Sequence, residues 1–440
     1  MRIHGDAKAV IDDKAEAAMC GPAQAGAAAD AAWHTRDVSW LFIAVYGIAY
    51  TGIWMALLPP ILMGLAMRVR ELAPAHATGS LSLVVGVGAL MALLGNPFFG
   101  RLSDRTTSRF GMRRPWLIIG ALAGVVGLAL IATASSIPQL LLGWCITQLA
   151  YNAELAALAA IFADQVPAPQ RGTVSGIMGI SLPLGMIGGT YLVQALADSR
   201  LAIFLLPAAM ALAGALILAW VLPDRQLAAA QRPRYGWREF LGGYWINPLR
   251  YPDFGWAWGS RFLLFAGVAV LLTYQEFYLI HQLGCAPADV PRRIFLSTVV
   301  QSCAVAIFGA LGGGWSDAVG RRKTFVFGAA LVYALALLII AFAASYPWFL
   351  AGMAITGLAQ GVYMAADLAL VTDVLPERET HTAGNLGVFN IASVMPQSLM
   401  PAVAPAILLA SGGSYTVLFV VAAILVTLSA WAILPVRGVR

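Results

Sequence analysis

The sequence predicts an all-α membrane protein: twelve transmembrane helices in two parallel six-helix pseudo-repeats. Three observations lead there. The composition is too apolar for water, the apolar stretches have bilayer length, and a polar motif in the first half of the chain returns in the second.

The chain has 440 residues, of which 60% are hydrophobic and 11% charged, with a mean hydropathy of +0.79. A soluble chain carries about 25% charged residues. Twelve apolar runs account for the deficit, at roughly 40–66, 78–99, 115–134, 139–163, 173–195, 201–222, 256–280, 294–312, 324–343, 348–374, 383–409 and 415–435, each near the ~20 residues that cross a bilayer as a helix. Glycine and proline inside them are tolerated, because neighbouring helices satisfy the freed backbone groups. The first run meets Pro59-Pro60, where a break is expected.

Charge orients the spans. With the N-terminus in the cytoplasm, Arg68, Arg70, Arg200, Arg292 and Arg293 fall outside and Arg261 lies within span seven, leaving 21 of the 27 Lys and Arg on the cytoplasmic side. That asymmetry is the positive-inside bias, so the net charge of +6 reads as topology and gives no reason to expect nucleic-acid binding. Both termini are expected in the cytoplasm, with the chain in the plasma membrane (the inner membrane of a bacterium). Residues 1–38 lack the apolar core of a signal peptide and read as a disordered tail. Cys20, Cys145, Cys285 and Cys303 are scattered and imply no disulfide framework.

The repeat is measurable. "GRLSDRTTSRFGMRRPW" from Gly100 carries five arginines and one aspartate, and a shorter copy, "GGWSDAVGRRK", begins at Gly313. Asp104 and Asp317 are 213 residues apart; Gly111 and Gly320, like Pro167 of "ADQVP" and Pro376 of "TDVLP", are 209 apart. The difference is a four-residue insertion in the first island. The chain therefore divides into a six-helix bundle at 39–222, a central cytoplasmic loop at 223–255 and a second bundle at 256–440. In the loop, "RPRYGWREF" reads either as an amphipathic surface segment or as a tether. Parallel halves of this kind hold substrate near the midplane between them in one large transporter class.

The first island resembles the loop between spans two and three of the major facilitator superfamily. Its S-R-x-G-x-R-R-P ending is similar to that of the sucrose transporters and their bacterial sugar-symporter relatives. The resemblance implies a cytoplasmic latch between the halves, formed by Gly100, Asp104 and Arg105 with Arg113 and Arg114, and a weaker counterpart at Asp317, Gly320 and Arg321. A purely topological role remains the alternative for any single arginine. Asp164 and Arg171, bracketing "QVPAPQ", read as a further cytoplasmic loop contact.

Ionisable groups at membrane depth are costly and therefore functional candidates. Glu154 lies ten residues before Asp164, about 15 Å inward at 1.5 Å per residue. A carboxylic acid there can load a proton on one side and release it where a water path opens, so Glu154 and Asp367 are the proton-coupling candidates. The alternative for Glu154 is a buried hydrogen bond to Tyr151 or Gln148. In span ten, Thr356, Gln360, Tyr363 and Asp367 share one face; 209 residues earlier stand Thr147, Tyr151, Glu154 and Leu158. The resemblance places spans one, four, seven and ten around a central cavity. Tyr50, Trp54, Tyr151, Asn152, Tyr274, Gln275, Gln301, Gln360, Tyr363 and Asn390 are the candidate substrate contacts: rings for a sugar's C–H face, amides and hydroxyls for its OH groups. Packing or interfacial anchoring is the alternative for any single aromatic.

Arg261 is expected to snorkel to the cytoplasmic surface, with a pair to Asp367 or Asp373 as the alternative. Glu276 is expected near the outer surface in contact with water. No acid in span two matches the melibiose-type sodium symporters, which favours protons; no arginine in span five matches the sucrose transporters. His281 and His381 form no metal motif, and no phosphate-binding loop or hydrolase set appears. The expectation is a non-enzymatic, monomeric carrier without cofactor, driven by the proton gradient: a symporter of a neutral sugar or glycoside. Its rivals are a proton-driven exporter of apolar or cationic molecules and a non-transporting scaffold or sensor.

Overall fold

The computed structural model describes residues 37–224, 226, 250–319, 321–374 and 382–436. The expectations for the N-terminal tail before residue 37, for most of the central loop, for Gly320 and for His381 lie outside these residues, as does the side chain of Asp317. Among the described residues twelve helices are long and apolar enough to cross a membrane. They are α1 Trp40–Leu72, α2 Ala77–Asp104, α3 Arg114–Ala132, α4 Ile137–Gln165, α5 Arg171–Ala195, α6 Arg200–Val221, α7 Pro252–His281, α8 Val290–Val319, α9 Arg322–Ala341, α10 Tyr346–Val374, α11 Thr382–Ala410 and α12 Tyr415–Ala432. Serine caps start four of them: Ser39, Ser136, Ser199 and Ser414 each accept from a backbone N–H in the first turn.

The expected break at Pro59-Pro60 does not occur. Residues Pro60–Gly64 form a π turn, in which the Leu65 N–H reaches back to the Pro60 carbonyl, and the wider turn absorbs the lost proline donor without ending the helix. The helix thus runs on to Leu72, and Arg68 and Arg70 sit in its last turns rather than in a loop. Arg68 is buried. It pairs with Glu71 and donates to the carbonyls of Ile131 and Ala134 at the end of α3.

The two halves pack alike. In the first, α1 lies against α5 and α6, α4 lies between α2 and α3, and α3 also meets α6. In the second, α7 lies against α11 and α12, α10 between α8 and α9, and α9 against α12. The correspondence reaches single contacts. Gly143 packs on Ile131 and Gly352 on Ile340, both partners 209 residues on. Arg114 donates to the Leu222 carbonyl, and Lys323, again 209 on, donates to that of Leu434. Across the halves, α2 meets α11 and α5 meets α8. Exposed Trp40, Trp220, Trp256 and Trp431 ring the arginine-rich end, and exposed Phe342 and Trp348 stand at the other, as an interfacial aromatic belt requires.

A glycine stripe closes α3 onto α4. Gly120, Gly124 and Gly127 recur at helical spacing and receive Glu154, Tyr151 and Thr147 in turn. A methyl at Gly124 would lie 2.6 Å from the Tyr151 ring. Gly124→Ala is therefore expected to lower stability by about 1–3 kcal/mol, seen as a fall in the thermal midpoint in detergent. In a Tyr151→Ala background the same change should cost measurably less, because the two positions are coupled.

Candidate functional site

The polar stripe of α4 does not face the space between the halves. Thr147, Tyr151 and Glu154 are buried against α3, because the glycine spacing of that helix matches theirs. Glu154 has no accessible surface, and neither of its carboxyl oxygens has a hydrogen-bond partner among the described residues. The alternative, a bond to Tyr151 or Gln148, is not formed among the described residues: the Gln148 backbone carbonyl accepts from Asn152 Nδ2 (2.8 Å), and Asn152 Oδ1 accepts from Asn96 of α2 at 3.5 Å. Asn152 therefore bridges α4 to α2. On α1, Tyr46 donates to the Leu158 carbonyl at 3.0 Å and begins an aromatic ladder through Tyr50 and Trp54, with ring centroids 6.2 and 6.0 Å apart. Tyr50 and Trp54 are half-buried.

The second half handles its charge differently. Asp367, fully buried, is paired with Arg261 of α7. Arg261 Nε donates to Ser393 Oγ of α11 at 2.5 Å, and its guanidinium lies 5.3 Å from the Phe265 ring and 4.8 Å from that of Phe389. Arg261 thus does not snorkel; a counter-ion one helix away outcompetes the longer route to water. Tyr363 lies buried one turn before Asp367. Gln301 of α8 contacts Thr356 at 3.5 Å, and Gln360 is half-buried.

Asn390 is exposed, yet Met395, Leu399 and Val403, the exposed apolar face of α11, lie roughly 140–180° round the helix from it. Asn390 thus stands on the side of α11 away from its exposed apolar face, and half-buried Gln397, seven residues on, shares that side. On α7, Tyr274 shares a hydrogen bond with Ser82 of α2 at 2.7 Å, and Gln275 is buried, its Oε1 without a partner among the described residues. Glu276 is not in water. It is fully buried and lies 2.9 Å from Arg70 of the opposite half, an ion pair in which neither carboxyl oxygen accepts a hydrogen bond among the described residues; the continuous α1 carries Arg70 up to the end of α7.

Among the described residues, Arg113 and Arg114 of the arginine-rich loop are tied within their own half. Arg113, buried, holds Asp104 at 2.7 Å, Ser103 at 2.8 Å and Asp164 at 2.9 Å, so one guanidinium joins the ends of α2, α3 and α4. Asp224, just past α6, accepts from the backbone N–H groups of Arg113 (2.7 Å) and Arg114 (2.8 Å) and so caps α3. Its carboxylate occupies the place a Cβ would take at Gly111, whose φ is +105°. Among the described residues the contacts of this loop form a clamp inside the first half, with Arg113 rather than Arg105 at its centre. Arg105 Nε has no partner among the described residues, Arg321 is exposed, and a Cβ at Gly100 would meet only Ala156 at an ordinary 3.9 Å. Arg171 donates to the Val166 carbonyl at 3.2 Å, again locally. Asp224 is the residue the sequence reading missed. Its signal was the repeated ending "LPDR" after α6 and "LPVR" after α12.

The sequence profile of the Major Facilitator Superfamily matches residues 39–297 and 294–439, which together span both bundles. The chain belongs to that superfamily. It is a membrane transporter of the facilitator fold. It is 33% identical over 150 residues to the class E tetracycline resistance protein of Escherichia coli, an alignment covering 34% of this chain. The alignment spans 33% of that relative's length. Among solved structures, a bacterial homologue of the human lysosomal transporter Spinster, inward-facing and unoccupied, aligns with a TM-score of 0.66 at 16% identity over 90% of this chain and 98% of its own. The nucleoside transporter NupG aligns with a TM-score of 0.70 at 14% identity over 90% of this chain and 99% of its own. These likenesses show the facilitator fold; the finer likeness to sucrose transporters is not among them.

The clamp distinguishes the loop arginines of this facilitator. Arg113→Ala removes charge-assisted bonds to two carboxylates and is expected to cost about 1–3 kcal/mol, while Arg105→Ala should change stability by less than about 0.5 kcal/mol. Thermal unfolding of the two purified variants in the same detergent checks the order.

Proposed function

We propose that this facilitator is a proton-coupled symporter of a neutral sugar or glycoside, working by alternating access of its two halves. The observation that carries the proton assignment is Glu154, a carboxyl near mid-span with no accessible surface and, among the described residues, no partner for either oxygen. An uncompensated charge there is costly, about 2.5–3.5 kcal/mol even on insertion scales, and a bound proton removes it. In this reading Glu154 is neutral in the conformation described and releases its proton when water reaches the α3–α4 seam. Asp367, already matched by Arg261, is the secondary candidate.

Support for a polyhydroxylated substrate comes from the uncharged amides Asn390 and Gln397 on the side of α11 away from its exposed apolar face, and from the amide oxygen of Gln275, which has no partner among the described residues. A hydroxyl-rich molecule supplies donors for such acceptors at little desolvation cost. The positive-inside bias supports a cytoplasmic arginine-rich end, and we take the carrier to lie in the plasma membrane and to act as a monomer, with the proton gradient in place of a cofactor.

A second reading, a proton-driven exporter of apolar or cationic molecules, has its own support. The relative named for tetracycline resistance is one part. The other is an open apolar groove of about 490 Å³ on the outer face of α1, α5 and α6, lined by exposed Ile48, Leu184 and Met210, from which an apolar molecule dissolved in lipid has access to the first half. The two readings separate in proteoliposomes given an inward proton gradient. A symporter accumulates a labelled sugar such as sucrose, and Glu154→Gln is expected to reduce that accumulation at least tenfold. Gradient-driven expulsion of a cationic dye with no response to any sugar in a panel favours the exporter. Gradient-driven flux unchanged in Glu154→Gln would remove the proton assignment from both.

A further inference from the structure

At the end of the bundle away from the arginine-rich loops, each half is tied internally. In the first half, Arg68 fastens the end of α1 to the α3 carbonyls of Ile131 and to Ala134 just beyond it, and Glu71 pairs with Arg68 and with Arg200 at the start of α6, the latter at 3.3 Å. In the second, Tyr278 fastens α7 to the α9 carbonyl of Ile340. These anchors are repeat-equivalent: Ile131 and Ile340 are 209 residues apart, and Arg68 and Tyr278 are 210 apart. Of the three charges on the last turn of α1, two are thus committed within the first half. The third, Arg70, reaches across to Glu276.

Other contacts cross beside it. Ser82 meets Tyr274 at 2.7 Å, Thr78 of α2 meets Tyr415 of α12 at 2.9 Å, and the rings of Tyr191 and Phe295 lie 5.7 Å apart between α5 and α8. These differ in kind from the ion pair. A hydroxyl that loses a hydroxyl partner exchanges it for water, and a ring that loses a ring finds lipid or another side chain. A carboxylate without accessible surface has no such substitute while the halves remain together. Glu276 is fully buried, and its ion-pair partner comes from the opposite half. His281, one turn further along α7, is taken up in a parallel stack with Tyr415 at 5.7 Å.

We propose that the Arg70–Glu276 ion pair is the lock that holds the two halves closed at this end and that it breaks each time the carrier opens there. Neutralising Glu276 removes the attraction while leaving the α1, α3, α7 and α9 anchors intact, so the halves part more often without unfolding. The proposal rests on the alternating-access reading above, but its readout requires no transported molecule.

The test uses Ser82→Cys as a nearly isosteric reporter buried between α2 and α7, labelled with a membrane-impermeant maleimide in right-side-out and inverted vesicles without substrate. The parent chain, with its own four cysteines, is the background. Adding Glu276→Gln is expected to raise the reporter's labelling rate at least tenfold, from one side of the membrane only. The charge-swapped pair Arg70→Glu/Glu276→Arg is expected to bring the rate back towards that of the reporter alone. Should Glu276→Gln fail to fold, Arg70→Gln reads the same opening. A rate unchanged by either neutralisation, or a swapped pair that labels as fast as the single variants, overturns the lock. Normal locking together with failed sugar uptake would count against the substrate reading alone.

Discussion

A charge inside a bilayer must find a counter-charge, a water path or a proton, and that constraint arranges most of what is specific to this facilitator. Arg68 satisfies it with Glu71 and two carbonyls, Arg70 with Glu276, and Arg261 with Asp367 and Ser393. Each solution ties together helices that hydrophobic packing alone would leave free to slide, since lipid competes with any apolar contact. Glu154 meets the constraint with none of these partners. The asymmetry between three matched sites and one unmatched carboxyl marks out the group suited to carrying a mobile charge.

Duplication explains how the scaffold came to be so regular, and divergence explains how it became a machine with unlike halves. The pairings of helices are the same in both, down to Gly143 on Ile131 and Gly352 on Ile340. The residues filling the equivalent seam have changed. The small-large pair Gly124 and Tyr151 of the first half corresponds, 209 residues on, to Tyr333 and Gln360, so the bulky ring has moved to the other helix. Glu154 corresponds to Tyr363 and Leu158 to Asp367. Each half thus keeps one fully buried acid among the described side chains of its fourth helix, a turn apart in register, and only the second provides an arginine for it.

Much of this was legible in the sequence. Length, apolar content and the 209-residue offset are enough for twelve spans in two parallel bundles, because helix length in a bilayer leaves few alternatives. What could not be read was direction. The stripe Thr147, Tyr151, Glu154 announces a face that avoids lipid, but helical periodicity does not say whether that face meets a cavity or a neighbour. The glycines at 120, 124 and 127 held the answer, because they mark where α3 makes room. Glu276 and Arg261 were misplaced for a related reason: hydropathy along one helix is blind to a partner on another, and Arg70 and Asp367 arrive from distant parts of the chain. The loop motif suggested a latch between halves, whereas Asp104, Asp164 and Asp224 converge on Arg113 and its helix within one half.

The most direct test of the unmatched carboxyl is its protonation state in the membrane. Infrared spectra of the reconstituted protein at neutral pH, compared with those of Glu154→Gln, isolate its contribution. The account predicts a protonated-carboxyl C=O band that shifts in D2O and is missing from the variant. Identical spectra in that region, or a difference confined to the ionised-carboxylate bands, would show Glu154 charged and contradict it.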